Sequence, residues 1–176
     1  MAAAGRDAST MRPRRPARIP TARQFATRLV CFMRIYLDNC CYNRPFDDQN
    51  QLRVRLETEA KLHIQQLMRT GVLEYVWSDM LVVEAGDCPI VDQRENVLAW
   101  RHGAVEFVEI TTEVERNADL IMGLGVKSGD ALHLACAASA KCDWFFTVDK
   151  GILKRINKIG AMRVANPLRY IEEVGL

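Results

Sequence analysis

The 176-residue chain has no apolar run approaching the roughly eighteen residues that a membrane-spanning helix needs, and no membrane role is expected. Its six cysteines, at positions 31, 40, 41, 88, 136 and 142, include no Cys-x-x-Cys pair, so the usual spacing of a structural zinc site is missing. Nor do they form the pattern of a secreted disulfide scaffold. Cys136, in an Ala/Leu-rich stretch, reads as a small buried hydrophobe, and a reducing cytoplasm is the expected compartment. No histidine is paired with Cys40 or Cys41 in a way that would activate a thiol nucleophile. The sequence also lacks an internal repeat, and no Asp-x-Asp pair follows the first predicted strand, which counts against phosphatase-type phosphoryl transfer.

What is present suits a soluble globular domain: 49% hydrophobic and 26% charged residues, in a length typical of one domain. The net charge of +2 conceals an uneven distribution. Residues 1–32 hold seven arginines against the single acid Asp7, a net +6, which leaves the remainder at −4. This arm is rich in Ala, Arg, Pro and Thr and short of large apolar side chains, so it cannot bury enough surface to fold alone. It reads as a basic tail for nucleic acid, as an Arg-rich transit peptide, or as a consequence of start-site choice with translation beginning at Met33. The folded domain is therefore expected over 33–176.

Along that domain, strands alternate with helices. Arg34–Asp38 is a short apolar run ending in an acid, expected as a buried strand, and residues 39–48 follow as a loop broken at Pro45. Leu52, Leu56, Ala60, Ile64 and Leu67 recur at helical spacing between Gln49 and Thr70, with Gly71 as the stop. Leu73–Ser78 reads as a strand, then a helix over Met80–Gly86 capped by Ser78 or Asp79, and a helix over Val91–Gly103. Val105–Ile110 reads as a strand. Thr112 with Glu115 forms a capping box. Ala131–Ala140 is a small-residue helix suited to close packing, and Trp144–Val148 a buried strand. Lys150–Ile159 is expected to be helical with Gly160 as its stop, then a strand over Met162–Val164 and a last helix from Asn166-Pro167. Such alternation predicts an α/β domain: a mainly parallel central sheet of about four to five strands between layers of helices. The tryptophans, 77, 100 and 144, are expected in the core.

In open parallel sheets, ligands bind beyond the carboxyl ends of the strands. Asp38 and Asp149 each directly follow a predicted strand, Glu84 lies two helical turns beyond another, and Asp130 opens the helix before the Trp144 strand. Four carboxylates can thus gather at one sheet edge. Held close, they would disfavour one another's ionisation, and a hard divalent cation resolves that repulsion. Each has a plainer reading as well. Asp149 is placed to cap a helix, Asp130 to complement a helix dipole, and Glu84 to be a solvated surface acid. Asp38 is harder to explain away, since acids are depleted in strands. His133 reads as a satisfied helix histidine sooner than as a ligand, and His63 and His102 have no partner that the sequence identifies.

Four segments resemble the PIN-domain family of nucleases, the fold of VapC-type toxins, over roughly residues 33–170. They are Arg-Ile-Tyr-Leu-Asp38, Ser78-Asp-Met-Leu-Val-Val-Glu84, Ser128-Gly-Asp130-Ala-Leu-His-Leu-Ala-Cys-Ala, and Phe145-Phe-Thr147-Val-Asp149. The resemblance implies a three-layer PIN-like fold and Mg²⁺- or Mn²⁺-dependent cleavage of RNA by Asp38, Glu84, Asp130 and Asp149, with Thr147 as a hydroxyl beside the metal. It also implies a homodimer and, for a toxin, a cognate antitoxin protein that covers the acidic cleft. Two departures stand out. Gly129 replaces the commoner alanine. The stretch after the first acid, Asn39-Cys40-Cys41-Tyr42-Asn43-Arg44-Pro45, lacks the usual hydroxyl; Asn39 stands in for it, and Asn43 and Arg44 are candidates for substrate contact. The competing function is a non-catalytic PIN-like module that binds RNA or protein. A phosphoacceptor signalling domain needs a central aspartate and a late lysine that cannot be placed here.

Overall fold

The computed structural model describes residues 33–175; the basic arm of residues 1–32 lies outside the described residues. Strand β1 (Met33–Leu37) occupies the middle of a six-stranded sheet ordered β3-β2-β1-β4-β6-β5. Its partners are β2 (Leu73–Ser78) and β4 (Trp144–Phe146), with β3 (Glu106–Val108) outside β2 and β6 (Met162–Ala165) outside β4. All these pairs are parallel. Ile35, Tyr36, Leu37, Phe145 and Phe146 are wholly buried, as befits strands covered on both faces.

The sheet has six strands against the four to five expected, because β5 (Lys158–Ile159) adds a two-residue antiparallel edge to β6. This also corrects the expected helix over 150–159. Helix α7 spans only Lys150–Leu153, and Gly160, at φ +56°, occupies the two-residue turn of the β5–β6 hairpin instead of ending a helix.

The chain moves from β1 outward to β2 and β3, then returns across the sheet to β4. Right-handed crossovers in opposite directions put helices on opposite faces. On one side α2 (Leu52–Arg69) packs against α8 (Pro167–Val174), and on the other α5 (Thr112–Met122) packs against α6 (Ser128–Ser139). Helix α6 carries the small residues that permit this approach; Ala131, Ala135, Cys136 and Ala137 have no exposed surface. The reversal falls between β1 and β4, which makes their carboxyl ends the crevice of the fold.

Local chemistry explains most boundaries. Helix α2 ends in a Schellman motif: Val72 N–H donates to the Leu67 carbonyl and Gly71 N–H to Met68, with Gly71 at φ +71°. Ser78 caps α3 (Asp79–Gly86) by accepting from Leu81 N–H at 3.4 Å. Thr111, not Thr112, caps α5, accepting from Val114 N–H at 3.3 Å. Residues 39–46, expected as a loop, form the short helix α1 (Asn39–Asn43) and a 3₁₀ turn, Arg44–Phe46. Helix α4 (Val91–Leu98) also runs into a 3₁₀ turn.

The buried stripe of α2 is rotated from the expected one. Leu52 and Leu56 are 61% and 46% exposed, while Val54, Glu57, Lys61, Ile64 and Met68 face inward. Glu57 is neutralised there by Arg44 at 2.9 Å and Arg53 at 2.8 Å, and Asn166 Nδ2 donates to it at 2.8 Å. Trp77 and Trp144 lie in the core as expected.

Candidate metal centre

The four acids come from the elements that converge on the β1/β4 crevice. Asp38 leaves β1 and is only 6% exposed. Its Oδ2 accepts from Thr147 Oγ1 at 2.7 Å and from Cys40 Sγ at 3.0 Å. Thr147, which ends the β4 run and is completely buried, accepts in turn from Asp149 N–H at 3.0 Å. One hydroxyl thus fixes the first acid and the backbone of the fourth. Asp149 Oδ1 caps α7, accepting from Gly151 N–H and, at 3.2 Å, from Ile152 N–H. The helix-cap reading of Asp149 is therefore true, and it leaves Oδ2 available.

Glu84, on the second turn of α3, lies opposite His133 of α6. His133 Nε2 is 3.0 Å from Glu84 Oε2 and 3.9 Å from Asp38 Oδ1. The first contact is an ion pair without the alignment of a full hydrogen bond. Asp38, Glu84 and His133 each offer a ligand atom, and these atoms lie within 4.8 Å of one another. The other ring nitrogen, Nδ1, is 2.7 Å from the Tyr36 hydroxyl, which is 2.6 Å from Ser78 Oγ. A charged imidazolium donates from Nδ1 to Tyr36, and Tyr36 can then donate to Ser78. Burial opposes the charge on His133, but the Glu84 contact and the charges of Asp38, Glu84 and Asp130 outweigh it and raise the imidazole above its ordinary value. Burial likewise opposes ionisation of Glu84. His133 and the hydrogen-bonding Asn39 side chain overcome that and hold the carboxyl below its usual range.

Asp130 stands in the first turn of α6. Burial raises its carboxyl, and the charges of Asp38 and Asp149 raise it further, against the opposing pull of Lys127 and His133. The ligand atoms that lie together are those of Asp38, Glu84 and His133, and Asp130 and Asp149 fall outside that group. A carboxylate-rich set around a partly buried crevice suits a hard divalent cation such as Mg²⁺ or Mn²⁺, whose charge would offset the burial and the neighbouring acids that raise Asp130.

The remaining candidates lie at the margin. Asn39 contacts Glu84, whereas the Cys40 thiol is the group that reaches Asp38. Asn43 and Arg44 line a groove of about 490 Å³ with Asp149 and Lys150. Asn43 Oδ1 accepts from Gln93 Nε2 at 3.0 Å, and the Arg44 guanidinium is held by Glu57 at 2.9 Å and Asp47 at 2.8 Å. Cys40, His133 and Tyr36 escaped assignment from sequence. The spacing held a signal for two of them. His133 follows Asp130 by three residues on one helix, and Tyr36 precedes Asp38 by two on one strand, so each pair shares a face.

The PIN domain family matches residues 35–159 of the chain. No curated protein matches it. Among solved structures, VapBC2 from Rickettsia felis bound to a DNA fragment from their promoter is similar at 12% identity, over 75% of this chain and 98% of that one, with a TM-score of 0.46.

Proposed function

This chain belongs to the PIN-domain family, and on that premise we propose that it is a metal-dependent endoribonuclease hydrolysing RNA phosphodiester bonds, the toxin component of a toxin–antitoxin pair. The observation that supports the reading is the cluster of Asp38, Glu84 and His133, whose ligand atoms lie within 4.8 Å of one another in the β1/β4 crevice. Asp38, Glu84, Asp130 and Asp149 would hold Mg²⁺ or Mn²⁺. When bound, such a cation supplies an activated water and stabilises the leaving oxygen in phosphodiester cleavage.

The chain's own groups supply position. Thr147 holds Asp38 in one rotamer through its 2.7 Å bond, and Cys40 secures the same oxygen. The Tyr36–His133 pair positions Glu84. Asn39 supports Glu84, and Asn43 and Arg44 line the groove that RNA would follow beside Asp149. No described helix is long and apolar enough to cross a membrane, and we place the protein in the cytoplasm. Residues 33–176 form the nuclease domain, with 1–32 as a basic arm. A homodimer and an antitoxin complete the reading; Leu120 and Leu124, 75% and 56% exposed, offer apolar surface for such partners.

A second reading, a PIN-like module that binds RNA or protein without catalysis, draws on His133. Its imidazolium compensates Glu84 without any metal. The two separate in one assay: the full chain and Asp130→Asn incubated with structured and single-stranded RNA in Mg²⁺, Mn²⁺ or EDTA. Cleavage by the parent with metal, abolished by EDTA and by the substitution, supports the nuclease. RNA bound but uncut under every condition supports the module.

A further inference from the structure

A second cavity, of about 730 Å³, opens between α1, α2 and the 3₁₀ turn after α4. It is chemically unlike the acidic crevice. Its wall includes Lys61, Gln65 and Arg69 of α2, facing Tyr42, Phe46 and Trp100, and no Asp or Glu lines it.

Lys61 is 4% exposed, and its ammonium has no acid partner among the described residues; it lies 6.0 Å from the centre of the Tyr42 ring. Glu57, one helical turn earlier, is already engaged by Arg44 and Arg53. Behind this wall, Gln65 Nε2 and the Tyr42 hydroxyl, both without accessible surface, have no hydrogen-bond partner among the described residues. Arg69 stacks 4.8 Å from the centre of the Trp100 ring and adds a second positive charge.

Buried charges are ordinarily paired and buried polar atoms hydrogen-bonded, because leaving them unpaired costs stability. Here one nearly buried ammonium without an acid partner among the described residues lines a concavity, and it calls for an acceptor. The aromatic side chains beside it suit an apolar body.

We propose that this cavity is a binding site for a small organic anion, a carboxylate or phosphate set against Lys61 with its aromatic or aliphatic body against Tyr42 and Trp100. Burial also lowers the Lys61 ammonium, to about 8, so it remains mostly charged at neutral pH while gaining from an anion more than an exposed lysine would. The site is separate from the acidic crevice, and helix α1 borders both: Asn39 faces Glu84, and Tyr42 faces the cavity.

The test is a fluorescence titration of the full chain, without metal or RNA, using 1-anilinonaphthalene-8-sulfonate and its uncharged analogue N-phenyl-1-naphthylamine. The parent should bind one equivalent of the sulfonate. Lys61→Met should weaken it about tenfold or more, the scale of one charge-assisted hydrogen bond, with little change for the neutral dye, and Lys61→Arg should restore most of the affinity. Displacement by 1-naphthoate or by 1-naphthyl phosphate identifies which anion is preferred. No saturable binding by the parent, equal binding by Lys61→Met, equal affinity for the neutral dye, or displacement by neither anion would overturn the proposal. Equal affinity for the neutral dye would point instead to an apolar docking face for a protein.

Discussion

Replacing Thr147 by valine keeps its volume and branching but removes the one hydroxyl that joins two acids. In the parent that hydroxyl donates to Asp38 at 2.7 Å and accepts from Asp149 N–H at 3.0 Å, with no exposed surface. The first bond is to a carboxylate that is itself only 6% exposed, and such bonds contribute about 1.5–3 kcal/mol. An N–H left without an acceptor adds about 1 kcal/mol or more. Thr147→Val should therefore lose about 2–4 kcal/mol. Thr147→Ser keeps both bonds and forfeits one methyl group, a loss of about 1 kcal/mol. Equilibrium urea unfolding of the full chain without metal measures both, with stability read from the midpoint at unchanged slope. If valine proves as stable as serine, the hydroxyl is not holding Asp38, and the positioning argument for the first acid fails.

Other outcomes follow from the same geometry. Arg44→Met should destabilise the fold by about 2–4 kcal/mol in urea, because Glu57 is buried and retains only the exposed Arg53 as a cationic partner; unchanged stability would mean that Arg44 is free for substrate alone. Lys61→Met should stabilise the protein, by at most about 3 kcal/mol, since the folded ammonium sits near 8 against 10.5 unfolded. The sign fixes the pH window. Between those values the unfolded chain binds more protons, so the parent regains stability as pH rises from about 8 towards 10.5 and the advantage of the variant shrinks there; thermal melts of both proteins across that range test it. Gly129→Ala should fold at least as well as the parent, gaining about 0.5–1 kcal/mol from helix propensity, because the added methyl would meet Glu84 Oε1 at an ordinary 3.7 Å. A drop in melting temperature would show that the first turn of α6 is tighter than the 3.7 Å contact indicates.

The crevice was legible because strand ends are. Asp38 and Asp149 each follow a short apolar run, and a parallel sheet that reverses direction must bring two such ends together. The capping role of Asp149 was legible for the same reason. Less was visible where long-range contacts decide. Residues 39–46 carry a proline and few helix formers, yet packing of Cys41 and Tyr42 into the core winds them into α1 and a 3₁₀ turn. The apolar periodicity of α2 favoured Leu52 and Leu56, but Glu57 turns inward because Arg44 waits there, and tertiary pairing overrides the pattern. Strand β5 is two residues long and exists only through its pairing with β6, which no local propensity encodes. His133 reads in the sequence as a satisfied histidine, but only its Nδ1 is hydrogen-bonded, to Tyr36; the place of Nε2 beside Glu84 depends on how α3 meets α6, which the sequence does not spell out.

If the carboxylates of the β1/β4 crevice form one metal centre, the protein must bind a divalent cation through them. Titration of Mn²⁺ into the full chain, followed by electron paramagnetic resonance of the free ion, tests it most directly. The parent should bind saturably, with affinity weakened about tenfold or more in Asp38→Asn and in Asp130→Asn and unchanged in Lys61→Met. Binding that survives loss of both acids, or a parent that takes up no Mn²⁺, would contradict it.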